Sequence, residues 1–110
     1  MKSLSIIIPI FNEAESLPSL FKELKSEFGN SSSVEIVFVN DGSTDSSQQS
    51  IERAILDNSA WKMINLYRNY GKSVALQAGI ECSSGEIIGT LDADLQDDTK
   101  EIAKLIELSD

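Results

Sequence analysis

Two aspartates separated by one residue, Asp92 and Asp94, directly follow an apolar run that ends at Leu91. On an extended segment, side chains two residues apart point the same way, so both carboxylates can reach one divalent ion. A hard cation held there would neutralise a diphosphate and stabilise it as a leaving group. An isolated Asp-x-Asp is more often a solvated acidic turn that caps the next helix. Here the predicted strand ahead of the pair, and three other polar strand ends, favour the metal site.

Two further acidic residues lie at the ends of predicted strands, and each has two interpretations. Asp41 can accept hydrogen bonds from a nucleobase N–H or a ribose hydroxyl, or it can cap the following helix as Ser43 or Thr44 can. Glu13 can contact a nucleotide, or its charge can stabilise the first turn of a helix. The residue types alone leave both alternatives open.

Arg68 and Lys72 are the cations nearest to these acidic residues in the predicted arrangement. Both can contact a diphosphate, aided by backbone N–H groups at a helix start near Gly71. The alternative for each of them is ordinary surface charge.

Alternating apolar runs and amphipathic patterns predict the elements that position these residues. Continuous β-branched runs predict buried strands over residues 4–10, 34–39, 61–66 and 86–91. Asn12 is expected to be the N-cap of the first helix, with Glu15 three residues later. Apolar residues at helical spacing are expected to face inward. They are Leu17, Leu20, Phe21, Leu24 and Phe28, then Ile51, Ala54 and Ile55, then Val74, Ala75 and Ala78, and finally Ile102, Leu105 and Ile106 in a helix over residues 97–108.

Strands that alternate with helices predict an α/β fold. We expect a Rossmann-like parallel sheet of about four strands, with right-handed crossovers and helices on both faces. Ligands of such sheets bind beyond the carboxyl ends of the strands. The polar segments 11–13, 40–42, 68–72 and 92–94 are therefore expected to gather at one edge.

The composition narrows the classes of partner and metal. Eighteen acidic residues against nine basic ones give a formal net charge of -9, which argues against nucleic acid as a partner. The absence of histidine excludes histidine-based nucleophilic sites and imidazole-bound zinc. The single cysteine, Cys82, cannot form an internal disulfide. Oxygen ligands remain, and they favour Mg²⁺ or Mn²⁺. No apolar run approaches the length of a membrane span and no signal peptide is evident, so the cytoplasm is the predicted location.

Four segments of the chain resemble the signature blocks of family-2 glycosyltransferases with the GT-A fold. They are IPIFNE at residues 8–13, VNDGSTD at 39–45, RNYGKS at 68–73 and LDADLQ at 91–96. The order and spacing of four blocks make the resemblance specific at the level of the family. The last two blocks are similar to the branch that includes dolichol-phosphate mannose synthases and bacterial polyprenyl-phosphate glycosyltransferases.

The resemblance implies a role for individual residues. Asp92 and Asp94 would bind Mg²⁺ or Mn²⁺, Asp94 and Gln96 would face the sugar, and Arg68 and Lys72 are candidate phosphate contacts. The positions expected to bind the nucleotide are Pro9, Phe11, Glu13, Asp41, Lys72, Asp92 and Ala93.

The implied activity is inverting transfer from a UDP- or GDP-sugar to a polyprenyl phosphate or a saccharide, in cell-envelope polysaccharide biosynthesis. A GT-A catalytic domain is longer than this chain, so residues 1–110 are expected to be its N-terminal, nucleotide-sugar-binding portion. The catalytic base, the acceptor site and membrane-associating elements at the cytoplasmic face would lie in the missing C-terminal half. The alternative is a nucleotide-binding α/β fragment without activity of its own. An unpaired sheet edge predicts that the fragment self-associates as a dimer.

Overall fold

A computed structural model describes residues 3–29 and 33–93 and contains a four-stranded parallel sheet with helices on both faces. The strands are β1 Leu4–Ile10, β2 Val34–Asn40, β3 Trp61–Asn65 and β4 Ile87–Thr90. The helices are α1 Leu17–Phe28, α2 Ser47–Leu56 and α3 Lys72–Cys82. The predicted α/β class and all four predicted strands are confirmed. The predicted helix over residues 97–108 lies outside the described residues.

The strand order β3-β2-β1-β4 places a topological switch point beside β1. From β1 the chain moves outward through β2 to β3, and then returns so that β4 pairs with the other side of β1. Leu4 lies opposite Val34 on one side and Ile87 on the other. At a switch point the connections leave in opposite directions and open a crevice beyond the strand ends. The fold therefore provides a binding position at the carboxyl ends of β1 and β4.

Alternating residues of β1 contribute to two separate cores, one on each face of the sheet. On one face Ile6, Ile8 and their neighbours pack against α1 and α2. The rings of Phe21, Phe38 and Trp61 add an aromatic cluster there, with centroids 5.4–5.7 Å apart. The expected inward residues of α1 and α2 all belong to this core.

The opposite face of the sheet is covered by α3, which approaches unusually closely. Ala75 is fully buried against this face, and a Cβ at Gly79 would lie 2.3 Å from Cγ2 of Ile7. The small residues at positions 75 and 79 are one helical turn apart, so they form the contact stripe. Ala78 packs against the same core as predicted. The prediction that Val74 faces inward is wrong, because this side chain lies beside the stripe and is 46% exposed.

In the described parts of the chain, no helix is long and apolar enough to cross a bilayer.

Candidate functional site

A cavity of about 380 Å³ lies at the carboxyl ends of β1 and β4. Its size falls within the range of small-molecule sites. Its walls come from the segments that follow β1 and β2, from the start of α3 and from the segment after β4, so the predicted gathering of polar strand ends is confirmed. All seven residues expected to bind a nucleotide are present. The lining residues are Pro9, Ile10, Phe11, Glu13, Asp41, Asn69, Gly71, Lys72, Asp92 and Ala93.

Asn12 joins the segments that follow β1 and β2. Its Oδ1 accepts hydrogen bonds from the backbone N–H groups of Thr44 at 2.7 Å and Asp45 at 3.2 Å. Its own N–H donates to Oγ of Ser43 at 3.0 Å. Asn12 has a positive φ of 53°, a conformation that asparagine tolerates better than most residues. The prediction of Asn12 as a helix N-cap is therefore wrong: its side chain binds the other segment, and α1 begins only at Leu17.

The same two segments are joined a second time next to Glu13. The N–H of Glu13 donates to Oγ of Ser47 at 3.0 Å, and the N–H of Ala14 donates to Oδ2 of Asp45 at 3.2 Å. Burial raises the pKa of the Asp45 carboxyl, but the hydrogen bonds from Ser47 and Ala14 outweigh it and hold the pKa below its usual value. The first turn of α1 contains no acidic residue, so the helix-dipole interpretation of Glu13 is wrong. Its backbone is instead fixed at the cavity wall.

Asp41 is only 3% exposed, and its carboxylate binds the segment ahead of α3. Oδ1 accepts from the N–H of Tyr70 at 2.8 Å, and Oδ2 accepts from the N–H of Gly71 at 3.0 Å and from Nδ2 of Asn69 at 3.2 Å. Capping of α2 by Asp41, an open alternative in the sequence, is therefore wrong. Asp41 also occupies the N–H group of Gly71, directly ahead of α3.

The other two candidate caps of α2 are also engaged elsewhere. Ser43 and Thr44 both contact Asn12 across the two segments. The N–H of Ser47, at the start of α2, donates to Oδ1 of Asp45 at 2.9 Å. The sequence interpretation did not predict that three polar residues join the segments around the cavity. They are Asn12, Asp45 and Asn69. Asn69 stood two residues before a glycine in a predicted loop, which is a weak signal for a turn residue.

Opposite charges meet at the rim of the cavity. Nζ of Lys72 lies 2.7 Å from Oδ1 of Asp92, with 59% of the lysine side chain and 38% of the aspartate side chain exposed. Lys72 is the first residue of α3, and Asp92 comes two residues after the end of β4. Arg68 is not among the lining residues, and its guanidinium lies 5.2 Å from the ring centroid of Tyr70.

The oxygen atoms at the rim of the cavity are suitable ligands for a hard cation. Asp92 supplies carboxylate oxygens that are accessible from the cavity, and such oxygens are the ligands that Mg²⁺ and Mn²⁺ prefer. Within residues 3–29 and 33–93, no group of three potential ligand side chains forms. Asp94 and Gln96, expected to bind the metal and face the sugar, lie outside the described residues.

A smaller cleft of about 280 Å³ lies at the opposite, amino-terminal edge of the sheet. Its charged groups contact one another. Glu35 accepts hydrogen bonds from Ser5 and Ser84, and it forms an ion pair with Lys62 at 3.0 Å. This cleft is explained by contacts that join the strands, so the cavity beside β1 and β4 is the candidate site.

The fold and this site define an α/β protein with a candidate small-molecule site at the switch point of a parallel sheet. Residues 5–110 match the sequence profile of Glycosyl transferase family 2, and the chain belongs to that family. It is similar to the undecaprenyl-phosphate 4-deoxy-4-formamido-L-arabinose transferase of Pseudomonas fluorescens (strain SBW25), with 43% identity over 94% of this chain and 31% of the relative. The protein of that name from Aeromonas hydrophila is 38% identical over 97% of this chain and 33% of the relative. The chain thus spans about a third of the length of these curated relatives.

Solved structures support the GT-A fold. Mannosyltransferase PcManGT from Pyrobaculum calidifontis, in complex with GDP-Man and Mn²⁺, superposes with a TM-score of 0.79 at 24% identity, over 84% of this chain and 28% of that one. TarS 1-349 from S. aureus, in complex with UDP-GlcNAc, gives a TM-score of 0.77 at 24% identity, over 96% and 31%. The predicted fold is confirmed.

Proposed function

We propose that the full-length protein transfers a sugar from a nucleotide-diphosphate donor to a polyprenyl phosphate. The supporting observation is the cavity at the switch point, where four polar strand-end segments meet and Lys72 stands beside Asp92. The donor's nucleoside lies against Pro9, Phe11 and Glu13, and its diphosphate lies near Lys72. UDP- and GDP-sugars both remain candidate donors.

Asp92, with Asp94 as the sequence resemblance implies, would hold Mg²⁺ or Mn²⁺. When bound, the ion offsets negative charge on the departing diphosphate. Lys72 contributes a second positive charge on the same side, and its exposed ammonium can turn from Asp92 to a phosphate oxygen. Preorganised charge of this kind is the main electrostatic requirement of the transfer.

The acceptor class is inferred from the relatives, which are named as undecaprenyl-phosphate transferases. An acceptor oxygen forms a bond to the anomeric carbon as the bond to the diphosphate oxygen breaks, with inversion. A phosphate acceptor is already an anion at neutral pH, because its second pKa is about 6. Positioning therefore matters more than a strong base. With such a lipid acceptor, the full-length protein acts at the cytoplasmic face of the membrane.

The test is transfer by the full-length protein from a panel of UDP- and GDP-sugars to undecaprenyl phosphate in the presence of Mn²⁺. We expect Asp92→Asn to reduce the rate by about a hundredfold or more, as is common when a transition-state charge contact is removed. Asp57→Asn, on the exposed end of α2, is the matched control and should keep full activity. Undiminished transfer by Asp92→Asn, or no binding of any donor by the unchanged protein, would contradict the proposal.

A further inference from the structure

We infer that the segment 43–47 positions the wall of the cavity that takes the nucleoside, with Asp45 and Ser47 as the positioning residues. Among the described residues that line the cavity, none belongs to this segment. The segment acts instead through Phe11 and Glu13, which do line the cavity. The inference rests on the proposed function, because that function places the nucleoside against these two residues.

The backbone N–H groups of Glu13 and Ala14 are both bound by side chains of the segment 43–47. The N–H of Glu13 donates to Oγ of Ser47 at 3.0 Å. The N–H of Ala14 donates to Oδ2 of Asp45 at 3.2 Å, and Oδ1 of the same carboxylate accepts from the N–H of Ser47 at 2.9 Å. Ser47 is fully buried at the start of α2, so its hydroxyl is a fixed acceptor. Asp45 and Ser47 therefore hold the backbone of the cavity wall from behind.

Asn12 makes this link reciprocal. Its own N–H donates to Oγ of Ser43 at 3.0 Å. Its Oδ1 accepts from the N–H groups of Thr44 at 2.7 Å and Asp45 at 3.2 Å. Hydrogen bonds thus run in both directions between residues 12–14 and the segment 43–47. Neither segment can shift without breaking bonds made by the other.

Phe11 depends on this link because little else fixes it. Its side chain is 45% exposed and is not among the residues of either hydrophobic core. Strand β1 ends at Ile10, so the N–H groups that follow Phe11 bind the segment 43–47 instead of a neighbouring strand. A side chain without core packing takes its place from its backbone. Movement of residues 12–14 therefore moves Phe11 and Glu13 together.

The opposite wall of the cavity has a separate support. Lys72 begins α3 and Asp92 follows β4, and their charged groups lie 2.7 Å from each other. The proposed function places the diphosphate at this wall. Loosening the segment 43–47 should therefore disturb the nucleoside end of the donor site and leave the diphosphate end intact.

Two variants of the full-length protein test this separation. Asp45→Asn replaces one acceptor oxygen with an NH₂ group that faces N–H donors. Ser47→Ala removes the acceptor of the Glu13 N–H without a change of charge. Ser46→Ala is the matched control, because Ser46 is exposed and its side chain makes no capping hydrogen bond to α2. Calorimetric titrations with UDP, GDP and inorganic pyrophosphate, each with Mg²⁺, give the dissociation constants.

Positioning predicts that both variants raise the dissociation constants of UDP and GDP by about three- to tenfold, the range of one ordinary hydrogen bond. The dissociation constant of pyrophosphate should stay unchanged in both. A general loosening of the fold would weaken all three ligands alike. An effect of charge alone would strengthen all three in Asp45→Asn, because a negative charge is removed, and would be missing from Ser47→Ala. Either of these two patterns would overturn the inference.

Hydrogen exchange in the ligand-free protein gives an independent measurement. Exchange at the amide of Ala14 should accelerate in Asp45→Asn, and exchange at the amide of Glu13 should accelerate in Ser47→Ala. Both should stay unchanged in Ser46→Ala. Unchanged exchange in Asp45→Asn and Ser47→Ala refutes the link between the segments.

The two measurements also separate this inference from the proposed function. If exchange accelerates but the affinities for UDP and GDP stay the same, the inference fails and the proposed function stands. If the unchanged protein binds neither nucleotide, the proposed function fails and the inference fails with it.

Discussion

At the scale of single residues, the contact between Lys72 and Asp92 links the two charges that the proposed donor complex needs. In the described structure these charges bind each other, with Nζ and Oδ1 2.7 Å apart. The ammonium contacts Oδ1 of Asp92, so it repels a divalent ion that binds this carboxylate, and it becomes available to a phosphate once it turns away. The ion pair therefore opposes binding of a metal alone and favours binding of a metal together with a diphosphate.

We predict that Lys72→Met raises the affinity for Mn²⁺ in the absence of nucleotide and lowers the affinity for UDP or GDP. Exposed ion pairs contribute about 0.2–1 kcal/mol, so the gain in Mn²⁺ affinity should be about 1.4- to fivefold. Electron paramagnetic resonance of free Mn²⁺ in a titration of the full-length protein measures it. Lys62→Met, which removes an ion pair at the opposite edge of the sheet, is the matched control. A weaker affinity for Mn²⁺ in Lys72→Met would contradict this account.

Asn12 combines a backbone conformation and a side-chain contact, and two substitutions separate them. Asn12→Gly removes the acceptor for Thr44 and Asp45 but accepts the φ of 53° without strain. Asn12→Ala removes the same acceptor and adds strain from its Cβ. We therefore predict that Asn12→Ala lowers the free energy of unfolding by about 1 kcal/mol more than Asn12→Gly. Urea denaturation measures this difference, and equal effects of the two substitutions would show that the conformation adds nothing.

At the scale of elements, the close contact between α3 and the sheet depends on Gly79. In an exposed helix, replacing glycine with alanine stabilises the protein by about 1 kcal/mol. Here the added Cβ would lie 2.3 Å from Cγ2 of Ile7 and 3.0 Å from Cγ2 of Val39. We predict that Gly79→Ala destabilises the protein by about 1–3 kcal/mol, as overpacking does. Thermal or urea unfolding gives the sign, and Gln77→Ala, on the exposed side of α3, should change stability by less than about 0.5 kcal/mol. A stabilising effect of Gly79→Ala would show that α3 moves away freely.

The sequence predicts the elements well because local patterns determine them. Continuous apolar runs mark the strands, and the predicted third strand over residues 61–66 differs from Trp61–Asn65 by one residue. The fourth is predicted over residues 86–91 and is observed as Ile87–Thr90. The contacts between loops are not local. Asn12 binds residues 32 and 33 positions later, and Asp41 binds residues 28 to 30 positions later. A polar residue after a strand therefore resembled a helix cap, although its partner lies in another loop.

At the scale of the whole molecule, a parallel sheet is enough to predict that the polar strand ends gather at one edge. It is not enough to predict where along that edge the cavity lies. Parallel strands bring their carboxyl ends to one edge whatever the strand order. The position of the cavity between β1 and β4 depends on the crossover after β3, which no residue pattern indicates. The pairing of Lys72 with Asp92 depends in turn on that crossover, because it places the start of α3 next to the end of β4.

The opposite edge of the sheet contains a polar contact that joins several elements. Glu35 on β2 accepts hydrogen bonds from Ser5 on β1 at 2.8 Å and from Ser84, ahead of β4, at 3.1 Å. It also pairs with Lys62 on β3, whose ammonium donates to the backbone carbonyl of Cys82 at the end of α3. Burial raises the pKa of the Glu35 carboxyl, but the hydrogen bonds from Ser5, Ser84 and Lys62 outweigh burial and lower the pKa below its ordinary value of 4.5.

A carboxyl whose pKa is lower in the folded state than in the unfolded state stabilises the fold while it is ionised. This stabilisation disappears once the carboxyl is protonated in both states. The contribution of Glu35 is therefore complete above about pH 4.5 and is lost as the pH falls through its lowered value. We predict that Glu35→Gln unfolds at a lower temperature than the unchanged protein at pH 7, and that the difference narrows steadily below pH 4.5. Thermal unfolding followed by circular dichroism from pH 7 to pH 3 measures this. Glu52→Gln, on the exposed side of α2, should show no such narrowing. A constant difference for Glu35→Gln across this range would mean that its charge does not hold the strands together.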